Sequence, residues 1–218
     1  MKKTFLLSCL MLAAMPVMAA YTGHVYVDKN KNGVFDQSEK PLAGIKVSDG
    51  LNVVETAADG SFTLPGHERE RFIFITTPSG YKTFNRHYHK IEKKQSGYDF
   101  GLIPYSGRIR KNGSHRYIHI ADTEIFNTEN HADWVNNVRD YARNEQAAFI
   151  IHTGDICYEK GLKAHIKLMN TENMDCPVFY CIGNHDLVKG KYGEELFESI
   201  YGPVYYSFDA GNVHYVVT

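Results

Sequence analysis

Cysteine is scarce in this chain, with four in 218 residues. One of them, Cys9, lies in a leader-like start, and the remaining Cys157, Cys176 and Cys181 are too few and odd in number for a disulfide framework. Cys176 and Cys181 stand five apart on an extended run of roughly 16 Å, beyond the roughly 7 Å Cα limit for a bridge. They read as buried thiols, with a Cys157–Cys181 disulfide as the remaining candidate. Long apolar runs are also missing: Phe5 to Met15 is short of the roughly 20 residues a bilayer crossing needs. Charge of one sign is equally lacking. Lys and Arg number 24 and Asp and Glu 25, interspersed without a long run of either, so the surface offers no polyanion footprint and no nucleic acid binding is expected.

What the start does contain is a basic pair, Lys2 and Lys3, an apolar run, Pro16, and the small-residue stretch Val17-Met18-Ala19-Ala20. That order is a secretory signal peptide over residues 1–20. A lipoprotein start at Leu7-Ser8-Cys9 would leave almost no apolar region before the cysteine. The expectation is an exported bacterial protein, periplasmic, cell-surface or secreted, with no transmembrane segment after cleavage. Losing Lys2 and Lys3 takes the formal charge from −1 to −3.

The grammar changes near Pro104. Over residues 21–103, short alternating runs (GHVYV, GIKVSD, NVVETA, SFTL, RFIFITT, YDFGLI) are separated by turn residues, with Asp59-Gly60 placed like a hairpin turn and Pro78-Ser79-Gly80 like a loop. A small antiparallel all-β sandwich, Ig-like or prealbumin-like, is expected. On VYVDKNKNGVFDQSEKPLAGIKVS and TAADGSFTL the segment resembles the B-repeats of surface adhesins and carboxypeptidase-regulatory-like domains.

Over 104–218 the order becomes strand, loop, helix, repeated: RYIHIAD, HADWVNNVRDYARN, AAFIIHTGD, LKAHIKLMN, VFYCIGNHD. In the first helix Trp134, Val138, Tyr141 and Ala142 share a face at helical spacing. Apolar strands between amphipathic helices predict a mainly parallel α/β sheet, which places ligands at the carboxyl ends of its strands. The final YYSFDAGNVHYVVT reads as a hairpin around Ala210-Gly211.

Each of the three parallel strands ends in ligand atoms: Asp122 with Glu124, then Asp155, then Asn184 with His185. One such aspartate is an ordinary turn or cap residue. Three in succession, two after glycine, gather carboxylates that repel one another unless a cation sits between them. Carboxylate, amide and imidazole suit a divalent ion of the Mn, Fe or Zn type, and two such ions can clamp a phosphate and activate a water.

The ordered motifs IADTE, HTGDI and GNHD resemble those of calcineurin-like metallophosphoesterases. The resemblance implies an α/β metallophosphoesterase-like fold of β-sheets flanked by helices, two divalent transition metals, and hydrolysis of phosphomonoesters or phosphodiesters, whether small molecules or cell-envelope substrates. It implies metal ligation by Asp122, Asp155 (bridging) and Asn184, and His185 as the catalytic group that protonates the leaving oxygen. Glu124 replaces the family's usual histidine; it is carried as a further ligand, with a solvent-facing side chain as its alternative. The family's later histidine and GHxH motif have no counterpart before Thr218, and His214 sits within a strand, so a C-terminally incomplete site is expected. The rival reading is a non-catalytic exported surface or carbohydrate-associated binding protein on a degenerate phosphoesterase scaffold.

In the first half, residues 28–39 fit D-x-[DN]-x-[DN]-G-x5-E. Asp28, Asn30, Asn32, the Val34 carbonyl, Asp36 and Glu39 would supply oxygens to a weakly held Ca²⁺, with an ion-free Asn/Gly turn as the alternative. His87 and His89 read as surface residues, His115 and His119 as strand residues, His152 as a strand residue or a hydrogen-bonding neighbour of a ligand, and Trp134 as core.

Overall fold

The computed structural model describes residues 20–105, 108–188, 190 and 192–218. Residues 1–19 of the segment expected to be a signal peptide lie outside the described residues. The first half folds as two sheets. One is built around β1 (Ala20–Val27), which pairs with β2 (Lys40–Pro41), β5 (Ser61–Pro65) and β9 (Phe100–Pro104); β9 also pairs with β7 (Tyr81–Thr83). The other runs β4 (Val53–Glu55), β3 (Lys46–Ser48), β6 (Phe72–Ile75), β8 (Tyr88–Lys90). Alternation along β5, with Phe62 and Leu64 inward, puts apolar side chains between the sheets. There Val25, Val47, Leu64, Ile73, Ile75 and Leu102 are completely buried. Each such side chain contributes about 1.5–3 kcal/mol by leaving water.

Two expectations are corrected here. The sandwich is not purely antiparallel, because β1 and β9 run parallel, Val25 opposite Phe100. Asp59-Gly60 is not a hairpin turn: β4 pairs with β3 and β5 with β1, so this segment crosses between sheets. Its Asp59 carboxylate caps the Ser61 amide at 3.0 Å, a local turn that works equally well in either setting.

The second half holds the parallel sheet β10 (Arg116–Ile120), β11 (Ala147–His152), β12 (Val178–Tyr180), with β11 in the centre. Helices α1 (Ala132–Asn144) and α2 (Tyr158–Leu168) contribute Val135, Ala142 and Ala164 to a core with Ile150 and Val178. Tyr141 departs from its expected face, being 60% exposed, and Val135 takes that place in the core. A phenol tolerates the helix's wet flank, where an isopropyl group does not. The other face of the sheet is covered by the hairpin β13 (Tyr206–Ala210) and β14 (Val213–Val217), where Phe179 and Phe208 stack at 3.5 Å between ring centroids. Helix α3 (Glu195–Tyr201) packs on α2 through Leu162, Phe197 and Tyr201.

The halves are joined by backbone and side chain. Asp209 donates its amide to Thr77 O at 2.8 Å, the Thr76 and Ser207 hydroxyls meet at 2.9 Å, and Arg71 pairs with buried Glu198 at 2.6 Å. His87 is not a surface residue: its ring lies 4.6 Å from that of Tyr206, its Nε2 is sealed from water, and burial lowers its pKa to about 4. His89 is half-buried and bonds Asp99 O. A cleft of about 610 Å³ runs between β8 and β12. Cys157, Cys176 and Cys181 are all free thiols, so the candidate disulfide does not form.

Candidate active site

The three parallel strand ends are bonded to one another through their backbones. Thr153 donates to Ile120 O (2.9 Å), Asp122 to Gly154 O (3.1 Å), and Cys181 to His152 O (2.7 Å). The Asp155 carboxylate accepts the His185 amide at 3.0 Å, so the second and third ends are locked through a ligand-type side chain. Asn184, His185 and Asp186 form a single 3₁₀ turn beyond β12, reached through Cys181, Ile182 and Gly183. Gly183 is required by contact alone: a Cβ there would stand 2.2 Å from Asp155 N and 2.3 Å from its Oδ1. Gly154, at φ +95°, faces Gly183 N equally closely.

Backbone strain concentrates at the same place. Asp122 (φ 53°), Glu124 (45°), Asp155 (53°), Cys157 (111°) and Tyr158 (32°) all adopt positive φ without being glycine. Each costs about 1–3 kcal/mol, and such residues persist where surrounding structure forces them and cluster at functional sites.

Asp186 is what holds the turn. Completely buried, its Oδ1 accepts the amides of Ile156 (2.8 Å) and Cys157 (3.0 Å), and its Oδ2 that of Gly183 (2.9 Å). Burial pushes its pKa up while these three hydrogen bonds pull it down, and burial prevails. Behind the strand ends, His152 Nδ1 accepts the Gly154 amide, so its Nε2 carries the proton toward Thr123 Oγ1 at 2.9 Å. Burial lowers the His152 pKa to about 4 and keeps this orientation neutral. His119 bonds Thr153 Oγ1.

Asp122, Glu124 and Asn184 are exposed, and Asp155 and His185 are half-buried. The His185 ring stacks on Tyr158 with centroids 5.7 Å apart. Burial raises the pKa of the Cys157 thiol, and the charges of Glu124, Asp186 and Asp155 raise it further, so three carboxylates surround that position. The ligand atoms of Asp122, Glu124 and Asp155 do not all fall within 4.8 Å of one another; among the described residues, Asp49, His67 and Glu70 do. The backbones thus bring the strand ends together, while the Asp122 and Glu124 side chains are exposed to solvent. The donor set (two or three carboxylates, one amide oxygen, one imidazole) fits divalent transition ions.

In the 28–39 loop, Asp28 and Glu39 are buried. Asp28 accepts the amides of Asn32 and Gly33, Glu39 those of Lys29 and Asp36, and Asp36 Oδ2 the side-chain amides of Asn30 and Asn32. Val34 is exposed. The loop is closed by its own hydrogen bonds. Sequence reasoning assigned no role to Asp186, although the D of GNHD was a signal, and none to Asp49, His67 and Glu70, which lie apart in the chain.

A parallel sheet with helices on one face, a hairpin on the other, and acidic, amide and imidazole groups at its carboxyl edge is an α/β architecture of the kind that binds ligands at its strand ends. Residues 115–216 match the family model described as calcineurin-like phosphoesterase, and residues 29–104 match the one described as the N terminal of calcineurin-like phosphoesterase. The chain belongs to the calcineurin-like phosphoesterase family, whose members are metal-dependent hydrolases of phosphate esters. No curated protein matches it. Among the described residues, no helix is long and apolar enough to cross a membrane.

Proposed function

We propose that the strand-end cluster hydrolyses a phosphomonoester or phosphodiester, with Asp122, Asp155 and Asn184 holding two divalent ions and Glu124 as an additional ligand to the first. The observation carrying this reading is the run of positive-φ, non-glycine residues Asp122, Glu124 and Asp155 at adjoining strand ends, a strain that packing alone does not call for. Bound ions of the Mn, Fe or Zn type would supply charge neutralisation and polarise the phosphoryl oxygens. The chain's own groups do the rest. The Asp155 carboxylate fixes the His185 backbone, the Tyr158 ring sets the imidazole plane, and His185 donates its proton to the departing alkoxide.

The test is hydrolysis of bis(p-nitrophenyl) phosphate with added Mn²⁺. His185→Ala is expected to lower kcat by roughly 10²-fold or more. An unchanged rate removes His185 from the mechanism. No manganese-dependent hydrolysis by the unaltered protein favours instead the non-catalytic, carbohydrate-associated surface protein, a reading supported by the splayed, exposed Asp122 and Glu124 side chains.

Two further properties belong to this reading. The leader-like start supports export, and N-terminal sequencing of the cellular protein should then begin at Tyr21. The buried Asp28 and Glu39 carboxylates, which have no basic side chain among their hydrogen-bond partners in the described residues, support Ca²⁺ in the 28–39 loop. Affinity on the order of 10⁻⁴–10⁻³ M is expected, as for extracellular modules. Calorimetry without heat at millimolar Ca²⁺ would count against it.

A further inference from the structure

At one end of the sandwich, well separated in sequence from the strand-end cluster, Asp49 begins the turn after β3, and His67 and Glu70 follow β5. One ligand atom from each lies within 4.8 Å of the other two. The Asp49 side chain is wholly buried, and His67 Nε2 is sealed from solvent without a hydrogen bond, facing Asp49 Oδ1 at 3.4 Å.

Both carboxylates are held in place by hydrogen bonds, Asp49 in part through the same Oδ1 that faces His67. Asp49 accepts the amides of Leu51 (2.9 Å) and Asn52 (2.7 Å) on Oδ1 and the Asn52 side-chain amide (3.0 Å) on Oδ2; that same amide is tied to Pro65 O (3.1 Å). Glu70 accepts the Tyr21 hydroxyl and the His67 amide on its two oxygens. Bracing of this kind is how carboxylate ligands are oriented toward an ion.

The His67–Asp49 spacing is longer than that of a closed ion pair and compatible with an ion between the two groups. A hydrogen-bonded imidazolium–carboxylate pair closes to about 2.7–2.9 Å. Two ligands each about 2.0–2.1 Å from a tetrahedral Zn²⁺ stand about 3.4 Å apart, which the His67 Nε2–Asp49 Oδ1 pair matches, with the Glu70 atom within 4.8 Å of both.

We propose that Asp49, His67 and Glu70 form a binding site for a divalent transition ion of the zinc class. The imidazole disfavours Ca²⁺ and Mg²⁺, which prefer all-oxygen shells. Three protein ligands leave a fourth position to water. Because Asp49 follows a strand of one sheet, while His67, Glu70 and the bracing Tyr21 belong to the end of β5 and the start of β1 in the other, the ion pins the two sheets together. His67 Nδ1 accepts the Arg69 amide at 3.2 Å, which leaves the neutral ring's proton on Nε2. On binding, that proton moves to Nδ1 and the Arg69 contact opens.

The experiment uses the full chain carrying Asp155→Asn, which weakens the strand-end cluster, stripped by chelator and reloaded with Zn²⁺ alone. One zinc per chain and a rise in Tm are expected, both lost on adding His67→Gln, with Tyr21→Phe weakening affinity by roughly 10-fold. Equal zinc content with and without His67→Gln overturns the proposal. If His67→Gln does not fold, nuclear magnetic resonance decides without changing the cluster: zinc must shift the His67 ring nitrogens of the Asp155→Asn protein, and unmoved resonances overturn the proposal. The outcome is independent of whether the strand-end cluster hydrolyses phosphate esters.

Discussion

Replacing Asp186 isolates the contribution of the buried carboxylate that organises the candidate active site. Its two oxygens accept three amides, from Ile156, Cys157 and Gly183, at 2.8–3.0 Å, and the side chain has no exposure. In Asp186→Ala all three donors lose their acceptor. Each orphaned buried donor costs about 1–3 kcal/mol, so even the lower bound gives about 3 kcal/mol. For a chain of this length about 1 kcal/mol moves Tm by roughly 2–4 °C, which predicts a fall of roughly 6–12 °C. Asp186→Asn discriminates further. Its carbonyl oxygen can keep the Ile156 and Cys157 amides, while its NH₂ group confronts the Gly183 donor, so about one hydrogen bond is lost and the cost is about 1–2 kcal/mol. Because burial raises the Asp186 pKa in the folded state, the wild-type carboxylate favours folding more strongly at low pH and loses that advantage as pH climbs from its ordinary value through the raised one. The stability gap between wild type and Asp186→Asn should therefore narrow with rising pH across that window. Urea denaturation followed by circular dichroism reads both quantities. An Ala variant within about 0.5 kcal/mol of wild type would refute the reasoning.

Gly183→Ala forces a Cβ into the Asp155 backbone and should cost about 2 kcal/mol in denaturant melts, together with loss of hydrolysis; wild-type behaviour would mean the turn is loose. His87 has a folded pKa of about 4 against about 6.5 unfolded, so the unfolded chain binds the extra proton between those values. Stability should fall by on the order of 3 kcal/mol as pH drops from about 6.5 to about 4, and His87→Leu should flatten that slope; a parallel slope in the variant would be inconsistent with the burial. Arg71→Ala leaves buried Glu198 with the Tyr192 hydroxyl as its remaining side-chain donor among the described residues, and since Arg71 is itself half-exposed the expected loss is about 1 kcal/mol, read from thermal melts at low and high salt.

The parallel sheet was legible because its strands are continuous apolar runs that each stop at a chemically unusual residue. HTGD and GNHD can be read without knowing what they pair with. The β1–β9 parallel pairing was not legible, since strand partners distant in sequence leave no local signature and alternation reports only which face is buried. Asp59-Gly60 shows the same limit: a turn motif fixes the local chain reversal but not which sheet the next strand joins. Helical spacing placed Tyr141 on the apolar face, yet periodicity cannot distinguish a ring at the margin of that face from an isopropyl group at its centre. Three of the four expected metal ligands, Asp122, Glu124 and Asn184, reach solvent, because motif order specifies where the backbone delivers a side chain and not where that side chain points. The trio Asp49, His67 and Glu70 was invisible for a related reason. Each residue belongs to a turn, and only folding makes them neighbours.

The parallel pairing of β1 with β9 has a consequence for how the molecule is made. His24 donates its amide to Asp99, 75 residues further along. During synthesis at roughly 5–20 residues per second, the first strand of the sandwich therefore waits several seconds or more for its companion to emerge from the ribosome. Until then β1 has only β2 and β5 to pair with, and whatever binds the nascent chain meets a sheet with one side of its first strand still open.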